Sequence, residues 1–271
     1  MDHHGPDRAI ADVPAELTVT WRLSPVHVVL TFRAPHIAAH ALPGQFVHVR
    51  VSPAGTSPLL RRPFSVLGVN RAAGTFRILV RTIGRGTELL GELAPGAEVP
   101  ALGPLGTPFP EFEEGRDLVL VAGGVGVAPL LFLATECKHK VARALYGAGA
   151  ADGLVLADEL AAHCREVALA TDDGSAGYHG PVTNLVPASL DGLRNAIVVA
   201  CGPRRMMAAV VDWCRQPGAE CLVSFEAWLG CGVGACLGCV IPAAGEPRRY
   251  VRVCHDGPVF RSDQVDWDAL R

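Results

Sequence analysis

The sequence predicts a multidomain chain of β and α/β class: an antiparallel β-barrel over residues 1–112, an α/β unit with a parallel sheet over 113–220, and a small cysteine-rich domain over 221–271. Three observations carry that division. Short β-branched runs separated by turn residues fill the first 110 residues, the pattern of a small barrel. From Asp117 apolar runs alternate with helix-like stretches, the pattern of strands joined by crossover helices. From about Leu222 the chain turns short, glycine-rich and cysteine-rich, with too few apolar residues to hold a core of its own. Ligation of a metal group would supply the missing stability.

In order, barrel strands are expected at Leu17 to Leu23, Val26 to Phe32, Gln45 to Val51, Phe64 to Val69, Thr75 to Thr82 and around Val99. Buried parallel strands are expected at Leu118 to Ala122, Ala142 to Leu145, Glu166 to Thr171 and Ile197 to Ala200. The stretch from Leu118 to Thr135 carries no charge for 18 residues, long enough to suggest a membrane span. Gly123-Gly124-Val125-Gly126 and Pro129 break it into a strand, a turn and a helix start, so no membrane is expected. A net charge of -3 with no basic block argues against nucleic acid.

Four cysteines stand out. Cys231, Cys236 and Cys239 lie in Gly230-Cys231-Gly232-Val233-Gly234-Ala235-Cys236-Leu237-Gly238-Cys239, and Cys254 follows after a short excursion. Spacings of four, then two, then a distant fourth are those of a plant-type [2Fe-2S] site, and the glycines let the loop turn tightly and aim N–H groups at sulfur. Zinc is the alternative, although its four thiolates usually come as two close pairs. Disulfides fit less well: the nine cysteines are an odd number, and Met1 to Asp7 holds neither the basic nor the apolar region of a secretory signal. A reducing cytoplasm is therefore expected. The remaining five, Cys137, Cys164, Cys201, Cys214 and Cys221, read as small buried hydrophobes.

Arg62-Pro63-Phe64-Ser65, then Gly123 to Pro129, then Cys201-Gly202-Pro203, in that order, resemble the ferredoxin-NADP reductase superfamily, in which a flavin barrel precedes a nicotinamide domain. The Cys-Gly-x-Gly-x-Cys-x-Gly-Cys loop, closed by Cys254-His255-Asp256-Gly257-Pro258-Val259-Phe260, narrows the resemblance to the electron-transfer subunits of class 1B dihydroorotate dehydrogenase. It covers nearly the whole chain, from about Leu17 to Phe260. The resemblance implies FAD, a [2Fe-2S] cluster and NAD(H) as cofactors, and an FMN-containing catalytic subunit as partner, two of each chain, in pyrimidine biosynthesis. Electrons from dihydroorotate would pass singly through the cluster to FAD, and as hydride to NAD.

Each motif suits its implied task. A flavin dinucleotide needs a cation for its pyrophosphate, a flat apolar wall and a small donor near the ring. Arg62, Pro63 with Phe64, and Ser65 answer these, with further contacts implied from Leu79, Val80 and Arg81 and from the Gly86-Thr87 turn, whose N–H groups would face phosphate. Gly123, Gly124 and Gly126 follow a buried strand and open a helix, where a nucleotide pyrophosphate would sit. Cys201, Gly202 and Pro203 end another strand beside the nicotinamide. Tyr146 to Gly153 contains no Lys or Arg for a 2′-phosphate, which favours NADH. No residue is assigned to acid-base work on dihydroorotate. Trp228, Leu229, Val233 and Leu237 exceed what a solvated loop requires, so the face around Cys231 to Cys239 is expected to dock the partner. Two alternatives share these features: the FAD/iron-sulfur subunit of another NAD(P)H redox complex, of sulfite, sulfide or bifurcating transhydrogenase type, and a redox sensor on the same fold. Cys236-Leu237-Gly238-Cys239 fits the dihydroorotate group's Cys-x-Gly-Cys rather than the sulfite group's Cys-Gly-x-Cys.

Overall fold

A computed structural model of the chain describes residues 9–51, 57–137, 141–193, 195–215, 219–245 and 248–270. The ends of the expected first and third domains, residues 1–8 and 271, therefore lie outside the described residues. Six strands, β1 (Ala11–Arg22), β2 (His27–Arg33), β3 (Phe46–Val49), β4 (Arg62–Asn70), β5 (Thr75–Arg81) and β6 (Glu98–Leu105), close an antiparallel barrel in the order β1-β2-β5-β4-β3-β6. Two short helices, α1 (Pro35–His40) and α2 (Arg85–Gly91), interrupt it. Strand alternation sorts the side chains of β3. Val47 and Val49 enter the barrel core, while Phe46 packs outward against the rest of the chain.

The second unit is a seven-stranded sheet ordered β10-β9-β8-β7-β11-β12-β15, parallel except for its last strand. Its strands are β7 (Leu118–Gly123), β8 (Val141–Ala148), β9 (Glu166–Thr171), β10 (Tyr178–His179), β11 (Ile197–Cys201), β12 (Glu220–Ser224) and, after the small hairpin β13 (Val240–Pro242) and β14 (Tyr250–Arg252), β15 (Val259–Arg261). Helices α3 (Val127–Glu136), α4 (Ala157–Ala161), α5 (Val186–Leu190), α6 (Arg204–Arg215) and α7 (Trp267–Leu270) complete the chain. No helix among the described residues is long and apolar enough to cross a membrane. The uncharged run resolves as expected: β7, a 3-10 turn over Gly124–Gly126, then α3. Helix α3 buries every residue from Val127 to Ala134, and its Phe132 reaches the barrel core, so barrel and sheet pack together.

Two features depart from the sequence reading. Leu222 and Val223 of β12 pair with Val199 and Ala200 of β11, so the expected division at 220/221 falls inside a strand of the parallel sheet. The cysteine segment also has more apolar support than its composition suggests. Phe260 of β15 pairs opposite Val223, Phe225 stacks on Trp267 at 5.5 Å, and Ile241 and Val253 join the core under the sheet. Its few large side chains are buried by the neighbouring unit, and ligation is not the whole of its stability.

The chain leaves β7 toward β8 on one side and returns to β11 on the other. The two strands pair along their length, Gly123 and Cys201 lying at their carboxyl ends. That is the topological switch point where open α/β sheets bind ligands.

Candidate cofactor sites

A cavity of about 240 Å³ lies where the three segments meet. The barrel contributes Pro63, Phe64 and Ser65 of β4, Leu79 and Arg81 of β5, and Thr87; α3 and its turn contribute Val125 and Ala128; the cysteine segment contributes Phe225, Glu226, Ala227, Leu229, Val253 and Pro258. Val80 alternates away and is fully buried in the barrel core, so only its backbone is offered to a ligand. Arg62 stands beside this wall rather than in it. Its Nη1 donates to the Leu60 carbonyl at 2.7 Å, and a Cβ added at Gly86 would lie 3.0 Å from its Nε, so the arginine and the Gly86-Thr87 turn are in contact. Thr87 Oγ1 accepts from the N–H groups of Ile83 at 3.0 Å and Gly84 at 3.2 Å and donates to Gly84 O at 2.9 Å. The hydroxyl shapes the turn.

Phe46 and Glu226 in this cavity escape a motif reading. Phe46 lies on the wall because β3 turns its even-numbered side chains outward. Glu226 has surface open to the cavity, yet the protein around the carboxyl removes enough water to push its pKa above the ordinary value. A lone glutamate after a strand gives no sequence signal.

A second cavity, about 570 Å³, opens at the switch point. Gly123, Gly124, Val125 and Pro203 line it, with Gly147 and Ala148 at the end of β8, Gly149, Ala150, Asp152 and Gly153 after it, Asp172 after β9, Arg205 and Met206 of α6, and Val26, His27 and Arg81 from the barrel. Arg81 therefore lines both cavities. The two sequence motifs touch each other: a Cβ at Gly126 would fall 2.3 Å from Cys201 O, and one at Gly202 2.9 Å from Gly123 Cα. Gly126 and Gly202 let two backbones meet, whereas Gly124, at φ +54 with nothing within 4 Å, borders open space. The Cys201 side chain is buried in the core, where burial first and the Glu226 charge second raise its thiol pKa. Asp152 lies in the segment expected to choose between nucleotides; Arg205, the added cation, comes from α6.

Cys231, Cys236, Cys239 and Cys254 come together as two pairs. All four are free thiols, Cys231 lying beside Cys236 and Cys239 beside Cys254. Backbone N–H groups converge on the sulfurs: Val233 and Cys236 donate to Cys231 Sγ at 3.4 Å, Gly234 to Cys254 Sγ at 3.2 Å, and Cys254 to Cys239 Sγ at 3.4 Å. Burial would raise Cys231, but the N–H donors and the Cys236 thiol outweigh it and lower the thiol to about 6. Cys254 is raised to about 12, by burial and then by Cys239. Among the described residues no three His, Cys, Asp or Glu converge on a single-ion centre. Two thiols plus two, with N–H groups aimed at sulfur, fit a cluster of two irons. Arg252 braces the loop: it donates to both Asp256 oxygens, at 3.1 Å from Nε and 2.9 Å from Nη2, and to Gly234 O at 3.3 Å. Burial would raise Asp256, yet Arg252 and His255 hold it well below the usual carboxylate range.

An antiparallel barrel and a switch-point sheet with a cleft between them, and a cluster-type cysteine loop along it, define a flavin and iron-sulfur oxidoreductase of the ferredoxin-reductase fold. Residues 14–109 match the oxidoreductase FAD-binding domain, and residues 226–266 match the iron-sulfur cluster binding domain of dihydroorotate dehydrogenase B. The dihydroorotate dehydrogenase B (NAD(+)) electron transfer subunit of Desulforamulus reducens is 37% identical over 257 residues, 94% of this chain and 98% of that protein. That of Bacillus caldolyticus is 38% identical over 261 residues, 95% of each. The chain belongs to the family of dihydroorotate dehydrogenase B electron transfer subunits, and FAD and an iron-sulfur cluster are its cofactors. Among solved structures, that of an NADH-dependent reduced ferredoxin-NADP oxidoreductase superposes with a TM-score of 0.84 at 30% identity, over 94% of this chain and 91% of that one. A Neisseria gonorrhoeae ferredoxin NADP+ reductase with bound FAD and NADP shares the fold, with a TM-score of 0.65 at 19% identity over 76% of this chain and 92% of that one.

Proposed function

We propose that this chain carries electrons from dihydroorotate oxidation, performed on the FMN of a separate catalytic subunit, to NAD. The observation that carries the reading is continuity: the cysteine segment forms part of the wall of the 240 Å³ cavity, and Arg81 joins that cavity to the one at the switch point. Cys231, Cys236, Cys239 and Cys254 hold a [2Fe-2S] cluster. Pro63, Phe64, Ser65, Leu79, Arg81 and the Val80 backbone hold the flavin ring, and Arg62 with the Gly86-Thr87 turn holds its pyrophosphate. Gly123, Gly124 and Pro203 receive the nicotinamide nucleotide on the cavity wall, and Gly126, Cys201 and Gly202 hold the two turns together behind them. Bound there, FAD supplies the exchange between one-electron and hydride chemistry. The protein's part is to fix the groups side by side and keep water from the apolar seam between Phe64, Val125 and Leu229. Asp152, in the segment after β8, supports NADH over NADPH, since that segment offers a carboxylate and no cation, while the cavity's arginines, Arg81 and Arg205, come from the barrel and α6.

The domains are taken as 1–112, 113–220 and 221–271, the third sharing β12 with the second. The partner docks on the exposed apolar residues near the cluster loop: Trp228, 95% exposed, Leu237, 60%, and Val233, 43%. Leu229 turns into the flavin cavity instead. Two copies of each subunit, working in the cytoplasm, complete the reading.

The test measures NADH oxidation with an artificial acceptor and dihydroorotate oxidation with NAD, each with and without the catalytic subunit. The first activity is expected from this chain alone and the second only from both. Dihydroorotate-dependent NAD reduction by this chain alone, or none from the two fully loaded subunits together, overturns the reading.

A further inference from the structure

The outward face of β3 carries a buried histidine whose ring meets hydrogen-bond geometry with none of the described residues. His48 is 1% exposed, and neither ring nitrogen has a partner among the described residues. Alternation explains its direction: with Val47 and Val49 inside the barrel, His48 shares the outward face with Phe46, paired opposite Pro63 of β4 and Leu102 of β6. What covers it is the cysteine loop. At Gly232, the residue after Cys231, φ is +76 and a Cβ would stand 2.7 Å from His48 Nδ1. The backbones of Arg61 and Cys231 lie beside the ring without reaching hydrogen-bond geometry. Buried polar side chains nearly always find a partner, and a strand position packed this closely would otherwise suit an aliphatic residue. The ring faces the loop that carries Cys231, a part of the chain suited to receive a group that is not protein.

We propose that His48 donates a ring N–H to a sulfur of the iron-sulfur cluster on its Cys231 side, and so positions the cluster against the flavin barrel. The inference rests on the reading that the four cysteines hold that cluster. Sulfur is an acceptor the site offers beside the Arg61 and Cys231 backbones, which fall short of hydrogen-bond geometry: Cys231 Sγ already draws the N–H groups of Val233 and Cys236. A further N–H would withdraw charge from the cluster and favour its reduced form, since hydrogen bonds to the sulfurs are one of the protein's means of setting potential. The placement has a second consequence. Phe46, two residues away on the same face, lines the flavin cavity, so one rigid strand touches both electron carriers.

The experiment uses the full chain, loaded with FAD and cluster and labelled with ¹⁵N in histidine only. Pulsed paramagnetic resonance on the reduced cluster is expected to show a weak coupling to a histidine nitrogen that is lost in His48→Gln and His48→Phe and kept in His255→Gln. The midpoint potential of the cluster is expected to move negative in His48→Phe and to stay closer to the parent in His48→Gln, whose amide keeps a donor. Iron and FAD content are measured alongside, and if His48→Phe fails to hold a cluster, the coupling in the parent and its loss in His48→Gln decide. No histidine coupling in a loaded parent, or a coupling that survives His48→Gln, overturns this proposal and leaves the electron-transfer reading standing. A parent chain that takes up no two-iron cluster overturns the ligand reading and this inference with it.

Discussion

Gly126→Ala sets two effects of opposite sign against each other. Gly126 has φ −61 and ψ −9 at the start of α3, a conformation alanine adopts freely. On backbone entropy alone the substitution would favour folding by about 0.5–1 kcal/mol. Against this, the new Cβ would stand 2.3 Å from Cys201 O, 2.6 Å from Cys201 C and 2.8 Å from Gly202 N. Those are backbone atoms at the end of β11, fixed by pairing of Cys201 with Ala122 and Ser224, and they cannot rotate aside. The two turns must move apart. Overpacking of this kind costs about 1–3 kcal/mol, and a backbone contact belongs at the upper end, leaving a net loss of about 2–2.5 kcal/mol. The same movement separates Gly124 from Pro203 across the nucleotide cavity, so NADH is expected to bind about tenfold more weakly. Denaturant midpoints and an NADH titration read the two effects, with Gly149→Ala, where a Cβ meets nothing within 4 Å, as the stability control. A Gly126→Ala chain that unfolds at or above the parent's midpoint and binds NADH like the parent would refute the close-contact argument.

Three further outcomes are expected. Cys236→Ser should abolish or strongly perturb the cluster while FAD remains bound, as read by iron content and the paramagnetic signal after reduction; two irons per chain with an unchanged signal would contradict the ligand assignment. Arg62→Ala should loosen FAD by about 1.5–3 kcal/mol, the worth of a charge-assisted contact, and retention of FAD through dialysis equal to the parent's would place the pyrophosphate elsewhere. Glu226 has a raised pKa in the folded chain, so its contribution to stability is present in acid, below about pH 4, and is lost as pH rises through the raised value. Glu226→Gln should therefore unfold at a higher denaturant concentration than the parent at pH 8, with the advantage shrinking toward pH 4; an advantage that grows in acid would reverse the assigned direction.

Much of this protein was legible one segment at a time, because the signals are local. Alternating β-branched runs marked the six barrel strands, and Gly123 to Pro129 marked the strand, turn and helix start, since period and turn chemistry depend on neighbours a few residues apart. The cysteine spacing named its own chemistry for the same reason: three of the four cysteines, Cys231, Cys236 and Cys239, lie within one short loop. Tertiary structure alone decided what depends on distant partners. Gly126 is required by Cys201, 75 positions away, and nothing around Gly126 announces it. β12 joins the parallel sheet because β11 and β15 flank it, although by composition it reads as the start of the cysteine segment. Which face of β3 meets the rest of the chain, and so the burial of Phe46 and His48, follows only once the barrel closes and its outer wall is covered, because alternation gives two faces without saying which is buried by what. Glu226 is a surface residue by type, and the cavity formed by three segments makes it a desolvated one.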